Sequence, residues 1–278
     1  MQVGLSSGFE LINEDKKTNR AVLVIHGLTG SPFEMKKFGT FLFNNNFDIY
    51  GVCLPGHGDL QSDIYTVTCE EWMDFVSEKF ENLCKKYEEV YVAGLCLGAV
   101  LSLYLAEKYG NKVKGIVSLS TTLYLDGWRL PWYSFLMPIG LMTIFRYYYT
   151  YPECEPYGVK NERTRASIKK IITKTEAGMD NYPMCAFHEL LKLSKMVRNN
   201  LEKITSPILL VHSKEDDLTS SKSANEVYKN VSSENKKLII LEDSYHMVLY
   251  DNEKEFVFNQ ALDFLNSLSF SNNEAAAV

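Results

Sequence analysis

Cys96 lies at the centre of a Gly-x-Cys-x-Gly pentapeptide that runs from Gly94 to Gly98. An apolar run at 90–93 precedes it, and a helical pattern over 99–109 follows it. A nucleophile between two such glycines, at a strand-to-helix turn, is held above the strand on a strained backbone, and the glycines leave room for the neighbouring chain. The pattern predicts that Cys96 is a catalytic nucleophile at a nucleophile elbow. The alternative is a small buried cysteine in a chance match.

A catalytic nucleophile needs a base, and the base needs a third group that orients it. Three histidines follow Cys96 in the chain: His188, His212 and His246. His246 comes after a predicted strand and before the last predicted helix, so its loop can bring an imidazole to the edge of the sheet. We therefore predict that His246 is the base and that Met247, beside it, lines the substrate site. The alternative is a loop histidine that caps a helix.

The orienting carboxylate is expected after a strand that ends at the same edge of the sheet. A predicted strand at 207–211 is followed by Asp216 and Asp217. Because the two are adjacent, we expect only one to face inward, and we predict that Asp216 is the orienting acid. Asp243 is a rival because it is close to His246 in sequence. The alternative is that both are solvated loop carboxylates.

Strands alternate with helices along most of the chain, which predicts an α/β fold with a mostly parallel sheet and helices on both faces. Ser31, Pro32 and Glu34 are expected to start the first helix as N-cap, first helical residue and capping-box partner. Apolar runs predict strands at 21–25, 48–54, 90–93, 113–119, 207–211 and 237–241. Helical spacing predicts helices after 32 and over 69–87, 99–109, 222–231 and 252–268.

The alternation stops between residues 121 and 200, which contain many aromatic side chains and no clear strand. We predict that 121–200 is a helical cap, inserted after the strand that ends near Leu119, and that 1–120 and 201–270 form the core. The cap is expected over the carboxyl ends of the strands, where the sites of open α/β sheets lie. The last residues, 271–278, are predicted to be disordered.

A dense apolar segment of the insertion supplies a clue to the substrate. It contains Trp128 and Trp132, which we predict to line the substrate site. One interpretation is a hydrophobic cap that packs on the sheet. A sharper one is that part of this surface lines a tunnel for an acyl chain or contacts a lipid surface, and both can hold.

Composition argues against several other classes. The net charge is −6, which argues against a nucleic-acid partner. No apolar stretch is long enough for a membrane-spanning helix, and the first ten residues lack the pattern of a signal peptide. The six cysteines are scattered without a C-x-x-C pair, so we expect no metal site, no cofactor and reduced thiols in a cytoplasm.

The chain as a whole resembles the α/β-hydrolase superfamily, and within it the small bacterial carboxylesterases and monoacylglycerol-lipase-like hydrolases. The resemblance covers about residues 8–268 and implies an α/β-hydrolase fold with a nucleophile–acid–histidine triad. The usual nucleophile is serine, whereas its position here is occupied by Cys96. The matching segments are His26–Gly30, Pro55–Gly58, the elbow, the Asp216 loop and His246.

The resemblance also implies an oxyanion hole made of two backbone amides. One belongs to the residue after the nucleophile, Leu97, and the other to Leu28 in the first glycine-rich loop. His26, in the same loop, is a candidate for lining the substrate site. The alternative is that His26 and His57 hydrogen-bond their own loops.

A cysteine nucleophile changes the expected chemistry. A thiol is far more acidic than a hydroxyl, and its acyl-enzyme is a thioester, which amines, thiols and alcohols attack readily. We expect a hydrolase of carboxylic esters with an apolar acyl group, using Cys96, His246 and Asp216 on a small-molecule substrate. The alternatives are an acyltransferase or thioesterase acting on acyl-thioesters, and an inactive or engineered Ser-to-Cys form of a serine esterase. The oligomeric state stays open.

Overall fold

A computed structural model describes residues 8–13, 18–58, 64–131, 137–152, 154–174 and 181–275. Its centre is a seven-stranded sheet. A separate pair of short strands belongs to the insertion. The strands are β1 (Phe9–Leu11), β2 (Arg20–Ile25), β3 (Asp48–Val52), β4 (Glu89–Leu95), β5 (Val113–Leu119), β6 (Thr150–Pro152), β7 (Asn181–Pro183), β8 (Ile208–Ser213) and β9 (Lys236–Leu241).

Helices connect most of these strands. The start of the second helix carries a capping box, in which Thr68 and Glu71 exchange side chain-to-backbone hydrogen bonds. The helices are α1 (Phe33–Phe43), α2 (Cys69–Cys84), α3 (Leu97–Tyr109), α4 (Met137–Leu141), α5 (Glu162–Lys174), α6 (Met184–Arg198), α7 (Lys222–Asn230) and α8 (Lys254–Ala275). None of those in the described part is both long and apolar enough to cross a membrane.

The central sheet has the strand order β1-β3-β2-β4-β5-β8-β9. Neighbouring strands are parallel except for β1, which pairs with β3 in the antiparallel sense. The inner strands are buried along nearly their whole length, as their continuous apolar runs predict. This architecture confirms the predicted α/β-hydrolase fold with a mostly parallel sheet.

Helices cover both faces of the sheet, and each face has its own apolar core. One core contains side chains of α2, α3, α6 and α7, with Trp72, Phe80 and Leu190 among them. The other contains side chains of α1 and α8, including Phe38 and Leu265. Both faces of the sheet are therefore buried, which leaves the loops at the ends of its strands as the place where a substrate can bind.

The insertion differs in detail from the sequence expectation. It contains the antiparallel pair β6 and β7, where no strand was expected, because three-residue strands that include proline are too short to show an alternating pattern. Helix α6 packs against α3 and shares the core of that face. Helix α8 runs to Ala275, beyond the start of the segment expected to be disordered.

Candidate active site

Cys96 lies between β4 and α3 with φ of 56° and ψ of −113°, in the left-handed region that a non-glycine residue rarely adopts. The two flanking glycines are required by close contacts. A Cβ atom on Gly94 would lie 2.0 Å from the carbonyl oxygen of Gly98, and one on Gly98 would lie 2.1 Å from the carbonyl oxygen of Ile25. The backbone therefore has the strained, crowded geometry of a nucleophile elbow.

His246 and Asp216 form a buried pair in the loops that follow β9 and β8. The Nδ1 atom of His246 lies 2.8 Å from one carboxylate oxygen of Asp216 and 3.1 Å from the other. The backbone N–H groups of Leu218 and Thr219 each donate to Asp216 at 2.9 Å. These bonds fix the carboxylate, which in turn fixes the imidazole ring with its proton on Nδ1.

The charges of this pair stabilise each other. Burial alone would raise the pKa of Asp216, but His246 holds that pKa below its ordinary value. Burial alone would lower the pKa of His246, but Asp216 and then Cys96 raise it well above its ordinary value. Within the described residues, Nε2 of His246 has no other hydrogen-bond partner, and Cys96 is the neighbouring side chain that interacts with the imidazole on the side away from Asp216. The ring nitrogen is thus available to exchange a proton with the sulfur.

Two backbone amides near Cys96 are candidates to hold a developing negative charge. Leu97 is the first residue of α3, so its N–H belongs to the positively polarised end of a helix. Leu28 lies in the loop after β2, and it lines a cavity together with Cys96. Within the described residues, neither amide donates to another protein group. The arrangement can therefore act as an oxyanion hole.

A cavity of about 190 Å³ opens above Cys96 and His246. Most of its lining is apolar, and much of it comes from the insertion. The polar exceptions include Glu34, Arg129 and Asp217. The apolar lining consists of Leu28, Leu95, Leu125, Leu130, Met137, Met184, Phe187, Leu190, Leu218 and Met247.

Residues 16–254 match the family described as serine aminopeptidase, S33. The chain belongs to this family. It is an α/β-hydrolase, and therefore an enzyme, which confirms the resemblance seen in the sequence. Within the match, the elbow, the Asp216–His246 pair and the two amides occupy the carboxyl edge of the sheet.

Relatives of this hydrolase include two proteins from Bacillus. A carboxylesterase of Bacillus subtilis (strain 168) is 28% identical over 256 residues, covering 92% of this chain and 96% of that protein. A thermostable monoacylglycerol lipase of Bacillus sp. (strain H-257) is 26% identical over 254 residues, covering 87% and 89%. The solved structure of the Paleococcus ferrophilus monoacylglycerol lipase has a TM-score of 0.74 at 19% identity, covering 89% of this chain and 94% of that one.

Both adjacent aspartates of the hydrolase are buried, whereas we expected only one to face inward. Asp216 contacts His246, and Asp217 reaches the cavity wall, where its carboxylate lies 3.6 Å from the guanidinium of Arg129. Burial raises the pKa of Asp217 above its ordinary value. The rival acid, Asp243, is exposed and pairs with Lys160 at 3.1 Å. The turn after β8 thus sends two successive carboxylates inward, because each finds a different polar partner.

Glu34 is a cavity residue of the hydrolase that the sequence analysis assigned to a different role. Helix α1 has Pro32 as its N-cap, and Glu34 does not form the expected capping box. Its carboxylate instead accepts the backbone N–H of Gly27 at 3.0 Å. A Cβ atom on Gly27 would lie 3.3 Å from Cβ of Cys96 and 3.4 Å from Oε2 of Glu34, so Cys96 and this carboxyl flank the same glycine.

The environment of Glu34 disfavours its charge. Burial raises the pKa of Glu34 from 4.5 to about 7, against the opposing effects of the Gly27 hydrogen bond and of His246. A carboxyl group bonded to the loop that contains Gly27 and Leu28 can therefore change charge near neutral pH. A sequence signal was present in the position of Glu34 one turn after a glycine-rich loop, but it reads equally well as a helix cap.

His26 does not line the substrate site, which corrects the sequence expectation. It is fully buried, its Nδ1 atom lies 2.8 Å from the carbonyl oxygen of Gly27, and its Nε2 atom accepts the N–H of Leu54 at 3.0 Å. His57 similarly accepts the N–H of Thr29 at 3.1 Å. Burial lowers the pKa of His26 to about 3 and that of His57 to about 4. Both rings are therefore neutral and connect two loops through hydrogen bonds.

The predicted lining residues of the insertion and the last loop have separate outcomes. Met247 lines the cavity. Trp128 does not: its indole N–H donates to the carbonyl of Glu215 at 2.9 Å, its ring packs on Tyr245, and 57% of it is exposed. The indole N–H finds a partner at the surface, which turns the ring away from the cavity. Trp132 lies outside the described residues.

Proposed function

We propose that the protein hydrolyses carboxylic esters with an apolar acyl group through an acyl-enzyme on Cys96. The observation that carries the proposal is the Asp216–His246 pair, buried beside Cys96 at the floor of an apolar cavity. A pocket that only binds a ligand needs no oriented base. The sequence similarity to a carboxylesterase and a monoacylglycerol lipase supports ester cleavage.

Acylation follows from this geometry. Nε2 of His246 takes the proton of the Cys96 thiol, and the sulfur attacks the carbonyl carbon of the ester. The carbonyl oxygen becomes an oxyanion held by the amides of Leu28 and Leu97. The imidazolium then gives its proton to the leaving alcohol oxygen as the carbon–oxygen bond breaks, and a thioester remains on Cys96.

Deacylation uses the same groups in reverse order. His246 removes a proton from water as the water oxygen attacks the thioester carbonyl, and the two amides hold the second oxyanion. The carbon–sulfur bond breaks, the acid leaves and the proton returns from His246 to the sulfur. Asp216 keeps the imidazole in the required tautomer and stabilises its charged form throughout.

We infer that the insertion, 121–200, acts as a cap that supplies the acyl-binding surface. Apolar side chains from it, among them Leu130, Met137 and Phe187, face the cavity above Cys96. The small volume and the apolar wall favour an acyl chain over a polar group. Small-molecule esters are therefore the substrate class that this site accommodates.

We also infer that the cap contacts a lipid surface that delivers the ester. Its outer face exposes a group of large apolar side chains, with Met142 82% and Tyr148 80% exposed. Exchanging both for serine should raise KM for micellar esters more than for monomeric ones. An equal change on both would remove this part of the proposal. The exposed group consists of Ile139, Met142, Ile144, Tyr147, Tyr148 and Tyr149.

An acyltransferase or thioesterase is a second candidate function, favoured by the sulfur of Cys96. A thioester acyl-enzyme is open to attack by amines and alcohols as well as by water. The two functions share every residue and differ in the acceptor. Product analysis in the presence of added alcohol or amine separates them: preferential transfer to the acceptor favours the transferase, and free acid favours the hydrolase.

We further infer a reducing, cytoplasmic location. The six cysteines of the chain are all free thiols in the structure. Unpaired cysteines in this number are usual where glutathione and thioredoxin keep thiols reduced. Localisation of the tagged full-length chain in its native cell tests this inference, and a secreted protein would contradict it.

The experiment that tests ester hydrolysis is turnover of p-nitrophenyl esters of increasing chain length by the unaltered protein and by Cys96→Ala and His246→Ala. Both variants should lose nearly all turnover at every chain length. The control is Cys185→Ala, which removes another buried thiol that belongs to helix α6. Full turnover in Cys96→Ala would remove the proposed mechanism.

A further inference from the structure

We propose that Thr122 is a positioning residue for Cys96: its hydroxyl holds the sulfur in place and stabilises the thiolate. This inference rests on the proposed function, in which Cys96 is the nucleophile. Nothing in the sequence pattern pointed to Thr122, which follows the end of β5 at the start of the insertion.

The contact is direct and buried. The hydroxyl oxygen of Thr122 lies 3.3 Å from Sγ of Cys96, and the side chains of both residues are buried. The same hydroxyl oxygen lies 3.0 Å from the carbonyl oxygen of Ser120. Because a hydroxyl carries a single proton, it can donate to only one of these two acceptors at a time.

The protonation state of the sulfur selects the acceptor. Beside a thiol, the hydroxyl of Thr122 donates to Ser120, and its oxygen can accept the S–H. Beside a thiolate, the hydroxyl donates to the sulfur, and a hydrogen bond to an ionised acceptor is the stronger kind. Beside a thioester, whose sulfur is a poor acceptor, it returns to Ser120. The hydroxyl therefore stabilises the charged nucleophile more than the resting thiol or the acyl-enzyme.

Thr122 is itself held firmly, so it can fix the sulfur. The hydroxyl of Ser194, on α6, donates to the carbonyl oxygen of Thr122 at 2.9 Å. The hydroxyl of Ser120 donates to the carbonyl oxygen of His246 at 2.6 Å. The N–H of Cys96 donates to Leu119 at 3.0 Å. One short segment after β5 thus contacts the nucleophile, the backbone of the base and a helix of the insertion.

The test is the pH dependence of alkylation of Cys96 by iodoacetamide, measured by peptide mass spectrometry so that the other thiols do not interfere. Thr122→Val keeps the shape of the side chain and removes the hydroxyl. Thr122→Ser restores the hydroxyl. The matched control is Thr121→Val, because the hydroxyl of Thr121 bonds Ser118 at 2.6 Å and not the nucleophile.

In Thr122→Val we expect the pH midpoint of alkylation to rise by about one unit, with alkylation about 10-fold slower below the midpoint. Ester turnover should fall through kcat rather than KM. Thr122→Ser should recover most of the original midpoint and of the original kcat, and Thr121→Val should change neither. A thermal midpoint for each variant separates a loss of folding from a loss of thiolate. If Thr122→Val does not fold, the comparison of Thr122→Ala with Thr122→Ser carries the same test.

An unchanged midpoint in Thr122→Val or Thr122→Ala, with Cys96 reactive in the unaltered protein, would overturn this inference and leave the proposed function intact. Failure of the proposed function has a different signature. In that case Cys96 would be unreactive in the unaltered protein, and Cys96→Ala would retain ester turnover.

Discussion

Exchanging each of the two adjacent aspartates for asparagine should have very unequal effects. Asp216 accepts the ring N–H of His246 at 2.8 Å and two backbone N–H groups at 2.9 Å. In Asp216→Asn, the amide oxygen can keep the two backbone donors, which turns the amide N–H₂ towards Nδ1 of His246. The ring must then accept at Nδ1 and carry its proton on Nε2, where it can no longer take a proton from Cys96.

The size of the effect follows from the loss of the correct tautomer. An amide in this position costs a triad enzyme on the order of 10⁴-fold in kcat. This corresponds to about 5 kcal/mol of transition-state stabilisation. Asp217, in contrast, accepts the backbone N–H of His246 at a long 3.4 Å and lies 3.6 Å from the guanidinium of Arg129. Asp217→Asn should therefore cost about 10-fold or less.

The assay measures kcat and KM for an aryl ester from about pH 5 to about pH 9, together with a thermal midpoint for each variant. Because both aspartates are buried, the thermal midpoint shows whether a loss of turnover reflects unfolding. Comparable losses in the two folded variants, or a larger loss in Asp217→Asn, would refute the assignment of Asp216 as the orienting acid.

Further exchanges test other parts of the site. Cys96→Ser should keep ester hydrolysis within about 100-fold, because the same amides suit an oxygen nucleophile that is only slightly misplaced; a serine form inert on every aryl ester would show that the site requires sulfur. Glu34 has a folded-state pKa of about 7 against an ordinary 4.5, so its ionisation lowers stability as pH rises through this interval. Glu34→Gln should therefore gain up to about 3 kcal/mol over the unaltered protein between pH 4 and pH 8 in urea unfolding, and a constant difference would contradict the assignment. Trp128→Phe should change kcat/KM by less than about 3-fold and lower the unfolding free energy by about 1 kcal/mol, because it removes only a surface hydrogen bond to Glu215. A large rise in KM would show that Trp128 contacts the substrate.

The fold could be predicted from the sequence because its signals are local. Buried parallel strands produce continuous apolar runs, and 21–25 and 207–211 are clear examples that the sheet contains almost unchanged. The glycines around Cys96 are confined to five residues of sequence and are readable there, although one of them is required by a contact with Ile25 on the adjacent strand. Such signals can be read without knowing what packs against them.

The parts that escaped prediction depend on distant partners. Glu34 could be a helix cap or a cavity residue, and the choice depends on the N–H of Gly27. Trp128 is apolar enough to line a cavity, but its indole N–H is satisfied by Glu215, which is remote in the chain. Thr122 has no distinguishing neighbours in sequence, and it contacts Cys96 only because β5 ends beside the elbow.

The most direct test of the central claim is intact-mass analysis of the protein mixed rapidly with a medium-chain aryl ester and quenched in acid. The account predicts an increase equal to one acyl group, located on the peptide that contains Cys96 and released by hydroxylamine as a thioester is. The adduct should be absent in Cys96→Ala. Ester turnover with no adduct at any quench time, or an adduct on another residue in the unaltered protein, would contradict the claim that Cys96 is the nucleophile.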